Sequence, residues 1–242
     1  MGSGSLGDFI HQLSVVQETF LNTGKKGRVY LSNQGYPFGF GLERAFTDLK
    51  DVVESQSYVE SFHLHAGEPV DIDLSSWRQS PLLYASNWRT IFENTFRVSW
   101  ALHKWLTLPE SEYGDVIVIG MSLRRVPPID WGFLDRLPGP ALFVTDRQDE
   151  IDHWRSVSGS DLPAAVLPNL YELHRVIHGS RIFVGNLSSP LAVAMAAHRP
   201  SVGLRSHSVD DVHLTGLEGA CPFFRLADRE PIREIESLLQ NT

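Results

Sequence analysis

Residues 179–194 read Gly179-Ser180-Arg181-Ile182-Phe183-Val184-Gly185-Asn186-Leu187-Ser188-Ser189-Pro190-Leu191-Ala192-Val193-Ala194. The apolar run Ile182–Val184 is strand-like in length and side-chain type. Gly185 and Asn186 read as a sharp turn in which the absent side chain leaves room for a ligand. Ser188 and Ser189 then open a helix, Pro190 suits its first turn, and the alanines favour its continuation. The first amides of such a helix lack internal partners, and its dipole favours an anion such as a phosphate there. The same letters also describe an ordinary helix cap after a strand.

The pattern repeats on both sides. Apolar runs Val116–Ile119, Ala141–Val144, Ala164–Leu167 and Val202–Leu204 join Ile182–Val184 at intervals of roughly 20 residues, with helix-like segments between them. Continuous apolar strands alternating with helices imply a parallel sheet covered on both faces. Asn169 with Glu172 reads as a capping box, Leu170, Leu173 and Ile177 as the helix stripe, and Gly179 as its C-terminal cap. A last helix begins near Pro231. In the first half, helices are expected over Leu6–Leu21, Leu42–Val53 and Tyr84–Trp105, and strands over Arg28–Ser32 and Val59–Leu64. Asp71–Leu74 reads as a short strand or a strand-end loop. The first five residues look like a cloning scar and are set aside. The polar stretch Thr107–Glu112 is the expected boundary. It separates a first half, 6–108, from a second half, 109–242, with a cleft at the strand ends.

Composition narrows the possibilities. The chain has 242 residues, of which 42% are hydrophobic and 21% charged, which is globular. No apolar run approaches the ~20 residues of a membrane span. The lone Cys221 excludes an intrachain disulfide framework and fits a reducing, cytoplasmic compartment. A net charge of −8 opposes sequence-blind binding to nucleic acid.

The 179–194 segment, followed by Arg199-Pro200-Ser201-Val202, resembles the donor-side motif of heptosyltransferase-type (family 9) glycosyltransferases. Gln56-Ser57-Tyr58-Val59, Asp71-Ile72-Asp73-Leu74 with Trp77-Arg78, and Ser122-Leu123-Arg124-Arg125 before Ile129-Asp130-Trp131 fit the same resemblance. It implies an α/β, GT-B-like fold: two Rossmann-like domains facing across a cleft. It implies transfer of a sugar from a nucleotide-activated donor to a hydroxyl acceptor, with no cofactor and no metal. Full heptosyltransferases carry an acidic residue in the first glycine-rich loop, which serves as the base. The loop taken for it here, Ser32–Gly41, holds no Asp or Glu, and Glu43 is the first that follows. Heptose specificity does not carry over.

On this reading the donor contacts are Arg124, Arg125, Gly185, Asn186, Ser188 and Ser189. The acceptor contacts are Gly35, Tyr36, Phe38 and Arg78, with Phe40 as a further stacking surface. Asp73 is the first candidate for the base and Glu43 the second, because sugar transfer to a hydroxyl needs a proton acceptor. Each has a plainer reading: a tight glycine connection, a solvated strand end, an Asp–Arg78 pair, a surface arginine pair. The cluster Asp146, Asp149, Glu150 and Asp152 reads as a helix N-terminus. His63 with His65, and His174 with His178, have the spacing of half a metal site, but no third ligand follows and they read as partly buried or surface histidines. The loop lacks the spacing of a dinucleotide fingerprint, which sets aside a nicotinamide enzyme. Two other functions stay open. One is a non-catalytic binding module that lost its base. The other is a glycosyltransferase acting on hydroxymethylated DNA bases, for which Lys25, Lys26 and Arg28 near the first loop would supply charge.

Overall fold

The alternation of apolar strands and helices becomes two parallel sheets in the computed structural model, which describes residues 1–109, 111–123, 126 and 128–240. The first half runs α1 (Leu6–Thr23), β1 (Gly27–Leu31), α2 (Leu42–Glu54), β2 (Val59–Leu64) and α3 (Trp88–Phe96). The second half runs β3 (Ile117–Gly120), β4 (Ala141–Thr145), α4 (Gln148–Ser158), β5 (Ala164–Val166) and α5 (Leu170–Gly179). It continues with β6 (Ile182–Asn186), α6 (Ser189–Ala196), β7 (Ser201–Leu204), β8 (Phe224–Ala227) and α7 (Ile232–Leu239). The large sheet has the order β5-β4-β3-β6-β7-β8, all parallel. This is a doubly wound order that changes direction between β3 and β6, and such a switch point leaves a crevice at the strand ends. The small sheet is the pair β1–β2 joined through α2.

Alternation along the strands sorts the core. Ile117, Ile119, Ile182 and Val184 face one side with Phe143, Trp154, Ile235 and Leu238. Val118, Val144 and Phe183 face the other side, where α5 and α6 lie. That second cluster runs on without a break into Phe9, Leu13, Leu49 and Phe62, so the two halves share one core. Helix α1 packs along α6 rather than staying within its own half. Among the described residues no helix is long and apolar enough to cross a membrane.

Several expectations change. Residues 1–5 belong to the fold. The Gly2 amide donates to Tyr30 O (2.8 Å), Ser32 N to Gly2 O (2.9 Å) and Leu74 N to Met1 O (2.6 Å). Gly4 sits at φ 116, where its missing side chain leaves the space taken by the Arg78 guanidinium. Of the two readings of Asp71–Leu74, strand or strand-end loop, the structure has the loop. The expected helix Tyr84–Trp105 survives only as α3, because Arg97 turns left-handed (φ 60). Beyond it Trp105 is drawn between α1 and α6: its indole donates to Ile10 O (2.8 Å) and its amide to Ala196 O (2.9 Å). Tertiary packing overrides helical spacing there. The Asn169 cap forms (Glu172 N to Oδ1, 2.9 Å), but the Glu172 carboxylate turns to Arg175 instead of closing the box. Gly179 ends α5 with its Cα against Ser111 rather than in a left-handed cap.

Candidate active site

The switch-point crevice opens into a cavity of about 1130 Å³. That is somewhat above the range for a single small-molecule site, typically ~300–1,000 Å³. Its floor is built from strand ends: Met121–Leu123 after β3, Val144–Arg147 at and after the end of β4, and Leu187–Pro190 running from β6 into the first turn of α6. The first half supplies the opposite wall: Ser5–Asp8 and His11 at the start of α1, Arg44 and Asp48 on α2, the loop around Tyr36–Phe40, and Trp77, Arg78, Tyr84 and Trp88.

Two helix N-termini meet on this cavity. No side chain caps α6; the Ser188 hydroxyl turns back to Asn186 O (3.0 Å). Pro190 has no N–H and the Ala192 amide bonds back to Ser188 O (3.1 Å), which leaves Ser189 and Leu191 as the first-turn amides without a side-chain cap. Against that turn lies Gly7 of α1, so close that a methyl there would come within 3.3 Å of Ser189 Cα and N. One residue on, Asp8 holds the third helical position. Its Oδ2 accepts from Arg78 (2.7 Å) and from the Ser5 amide (3.2 Å), while Ser5 Oγ accepts from the Asp8 amide (3.3 Å). Asp8 is a fixed carboxylate beside a polarised helix end, at the seam between the halves.

The fold is similar over its whole length to a solved structure, E. coli heptosyltransferase WaaC with ADP. The match covers 100% of this chain and 97% of that one at 14% identity, with a TM-score of 0.60. The chain has the fold of a family 9 glycosyltransferase. A glycosyl transferase family 9 protein from Veillonella parvula DSM 2008 matches at 11% identity over 98% of this chain and 89% of that one, TM-score 0.59. E. coli WaaC with ADP-2-deoxy-2-fluoro heptose matches at 12% identity over 86% and 90%, TM-score 0.52. No protein-family model and no curated protein matches the sequence.

Within this glycosyltransferase fold the sequence-named residues divide. Ser188, Ser189, Tyr36, Phe38 and Arg78 line the cavity. Gly185 does not: it lies inside β6, buried, opposite Gly120 of β3, and a methyl there would strike the Gly120 carbonyl oxygen. Its missing side chain serves the close approach of two strands. Asn186 is also fully buried. Its side chain clamps β6 to the chain after β3, accepting from Ser122 N (3.0 Å) and donating to Ser122 O (2.8 Å). Asp73 stands off the cavity and caps its own turn, accepting from Ser75 N (3.0 Å) and Ser75 Oγ (2.7 Å). Glu43 is exposed in the first turn of α2, and Gly35 lies outside the lining. Arg124 and Arg125 fall outside the described residues.

The residue that sequence reading missed is Asp8. With Met1–Ser5 set aside as a scar, the glycine-bearing turn that leads into Ser5–Asp8 at the cavity goes unread, and the candidate acids become Asp73 and Glu43. The signal was present: Ser5 precedes an acidic residue by three positions ahead of an apolar run, which marks a helix start with a carboxylate in its first turn.

The cavity also has an acidic end. Asp146 follows β4 and Glu150 lies one turn into α4. Burial raises the pKa of both carboxyls above the ordinary range, and the neighbouring charge of Asp48 adds to the shift at Asp146. Glu150 accepts from the Thr145 hydroxyl. His11, a turn beyond Asp8, is walled by Trp88, Trp100 and Trp105. Burial lowers its pKa to about 4, so it stays a neutral imidazole. Among the described residues no three His, Cys, Asp or Glu side chains gather as a metal site.

Proposed function

We propose that the chain transfers a glycosyl group from a nucleotide-activated donor to a hydroxyl acceptor. The supporting observation is the convergence of the Asp8 carboxylate and the uncapped α6 N-terminus on one large cavity at the β3/β6 switch point. The donor diphosphate sits over Ser188 and Ser189, where uncapped amides and the helix dipole stabilise the charge that grows as it leaves. The acceptor oxygen attacks the anomeric carbon, the bond from that carbon to the phosphate oxygen breaks, and Asp8 takes the hydroxyl proton. Arg78 holds Asp8 in place. Charge on the leaving group is met by the helix end, so the proposal invokes no metal. The non-catalytic reading drew on a missing acid, and Asp8 supplies one. The DNA reading is disfavoured by Asp48, Asp146 and Glu150 at the cavity.

The test is thermal stability with ADP, GDP and UDP. A nucleotide at 100 times its dissociation constant adds ~2.7 kcal/mol, which in a domain of this size is roughly 5–10 °C. No shift with any of the three refutes the proposal.

A further inference from the structure

We propose that the acceptor end of this cavity takes an uncharged sugar ring, a neutral glycoside, in preference to a phosphorylated or carboxylated one. The inference deepens the glycosyl-transfer reading and rests on it.

The first observation is where the aromatic surface lies. Among the described residues three aromatic side chains are largely exposed, Tyr36 (48%), Phe40 (75%) and Tyr84 (61%), and all three line this cavity. Exposed aromatic surface collected in one place marks a binding surface. Trp77 and Trp88 stand behind them on the same wall, edge to face at 4.7 Å between centroids. All five residues come from the first half. The strand ends and the α6 N-terminus proposed for the donor come from the second. A nucleotide at the switch point therefore leaves the aromatic wall to the other substrate. Flat apolar rings suit the C–H faces of a sugar, and a few polar groups at their edge suit its hydroxyls.

The second observation is charge. Each described arginine of the lining is engaged: Arg78 with Asp8 (2.7 Å), Arg44 with Asp48 (2.9 Å), and Arg147 with Asp149 (2.9 Å). Arg78 also lies over the rings of Tyr36 (4.9 Å) and Trp77 (4.2 Å), and Arg147 over Phe40 (5.8 Å). An anionic acceptor would have to displace one of these carboxylates and approach Asp8, whose ionised form the reaction needs. A neutral ring keeps the pairs intact and offers hydroxyl donors to the carboxylates.

The experiment is saturation-transfer NMR on the intact chain. The probes are methyl glycosides of glucose, galactose, mannose and xylose, beside the methyl glycosides of glucuronic and galacturonic acid. Transfer from protein aromatic protons to the ring protons of at least one neutral probe is expected. Its uronic counterpart should bind at least tenfold more weakly. Tyr84→Ala, at an exposed position outside the hydrophobic core cluster, should weaken the neutral probe at least fivefold with an unchanged circular dichroism spectrum. Absence of contact with every neutral probe, equal or tighter binding of the uronates, or an unaffected Tyr84→Ala each overturns the inference. Nucleotide thermal shifts on the same samples keep the two readings apart. A nucleotide shift without neutral-glycoside contact sinks this inference alone. Glycoside contact without any nucleotide shift sinks glycosyl transfer and leaves a sugar-binding wall.

Discussion

Replacing Asp8 with Asn removes one charge and keeps the shape. The amide oxygen still accepts from the Ser5 amide (3.2 Å) and from Arg78 (2.7 Å), so the helix start and the guanidinium stay in place. What disappears is the capacity to take a proton, and a positioned general base is worth ~10²–10⁴ in rate. The turnover of Asp8→Asn should fall by that factor, roughly 3–5 kcal/mol of barrier at 1.36 kcal/mol per decade. Stability should fall far less. The pair is partly exposed (16% for Arg78, 23% for Asp8), so the lost Coulomb energy is screened to ~1 kcal/mol, or about 2–4 °C in melting temperature. Donor affinity should be unchanged, since the diphosphate is held on the other side of the seam. The assay couples release of nucleoside diphosphate from the turned-over donor to calorimetric titration of the same nucleotide. Asp73→Asn serves as the matched control and should keep wild-type turnover, because Asp73 only caps the turn at Ser75. Wild-type rate in Asp8→Asn, or loss of rate in Asp73→Asn alone, would refute the assignment of Asp8 as the base.

Ser189→Asp places a negative charge in the first turn of α6, where it suits the helix dipole but repels a diphosphate. Nucleoside diphosphate affinity should drop more than tenfold, over ~1.4 kcal/mol, with the melting temperature nearly unchanged; equal affinity by titration would make the turn a helix start and nothing more. Gly185→Ala forces a methyl toward the Gly120 carbonyl and to 2.7 Å from the Phe183 ring, so it should cost ~2–3 kcal/mol or more in urea unfolding. An unchanged urea midpoint would mean that β3 and β6 do not need this close approach. His174 is fully buried with neither ring nitrogen bonded, and burial lowers its pKa to about 4. Its unfolded value is ~6.5, so the stabilising difference is fully present above that pH and is lost as pH falls toward 4. His174→Leu should therefore lose ~2–3 kcal/mol less than wild type between pH 7 and 4.5, and parallel pH slopes for the two proteins would disprove it.

Local signals set the second half. Apolar runs spaced by helical segments specify strands buried on both faces, and that requirement leaves a doubly wound parallel sheet as the economical solution. Val59–Leu64 and the start of α2 at Leu42 were legible for the same reason: their periodicity is unambiguous. The helix-start pattern marked Ser188 and Ser189, the aromatic residues of the glycine loop marked Tyr36 and Phe38, and the family resemblance marked Arg78; all five line the cavity. Tertiary structure decided what depends on a partner distant in sequence. Trp100 and Trp105 fit a helix by spacing, yet burial against α1 and α6 pulled them out of one. Gly185 and Asn186 look like a ligand turn, but only the register of β6 against β3 shows one as a strand contact and the other as a clamp on Ser122. Met1–Ser5 look like a cloning scar because small residues carry no pattern of their own. Their place is fixed by backbone hydrogen bonds to Tyr30, Ser32 and Leu74 and by the Arg78 guanidinium at Gly4. Asp8 follows from that: a carboxylate in the first turn of a helix is an ordinary feature in sequence, and it becomes a candidate base only when α1 lies along α6 and sets it beside a second helix end.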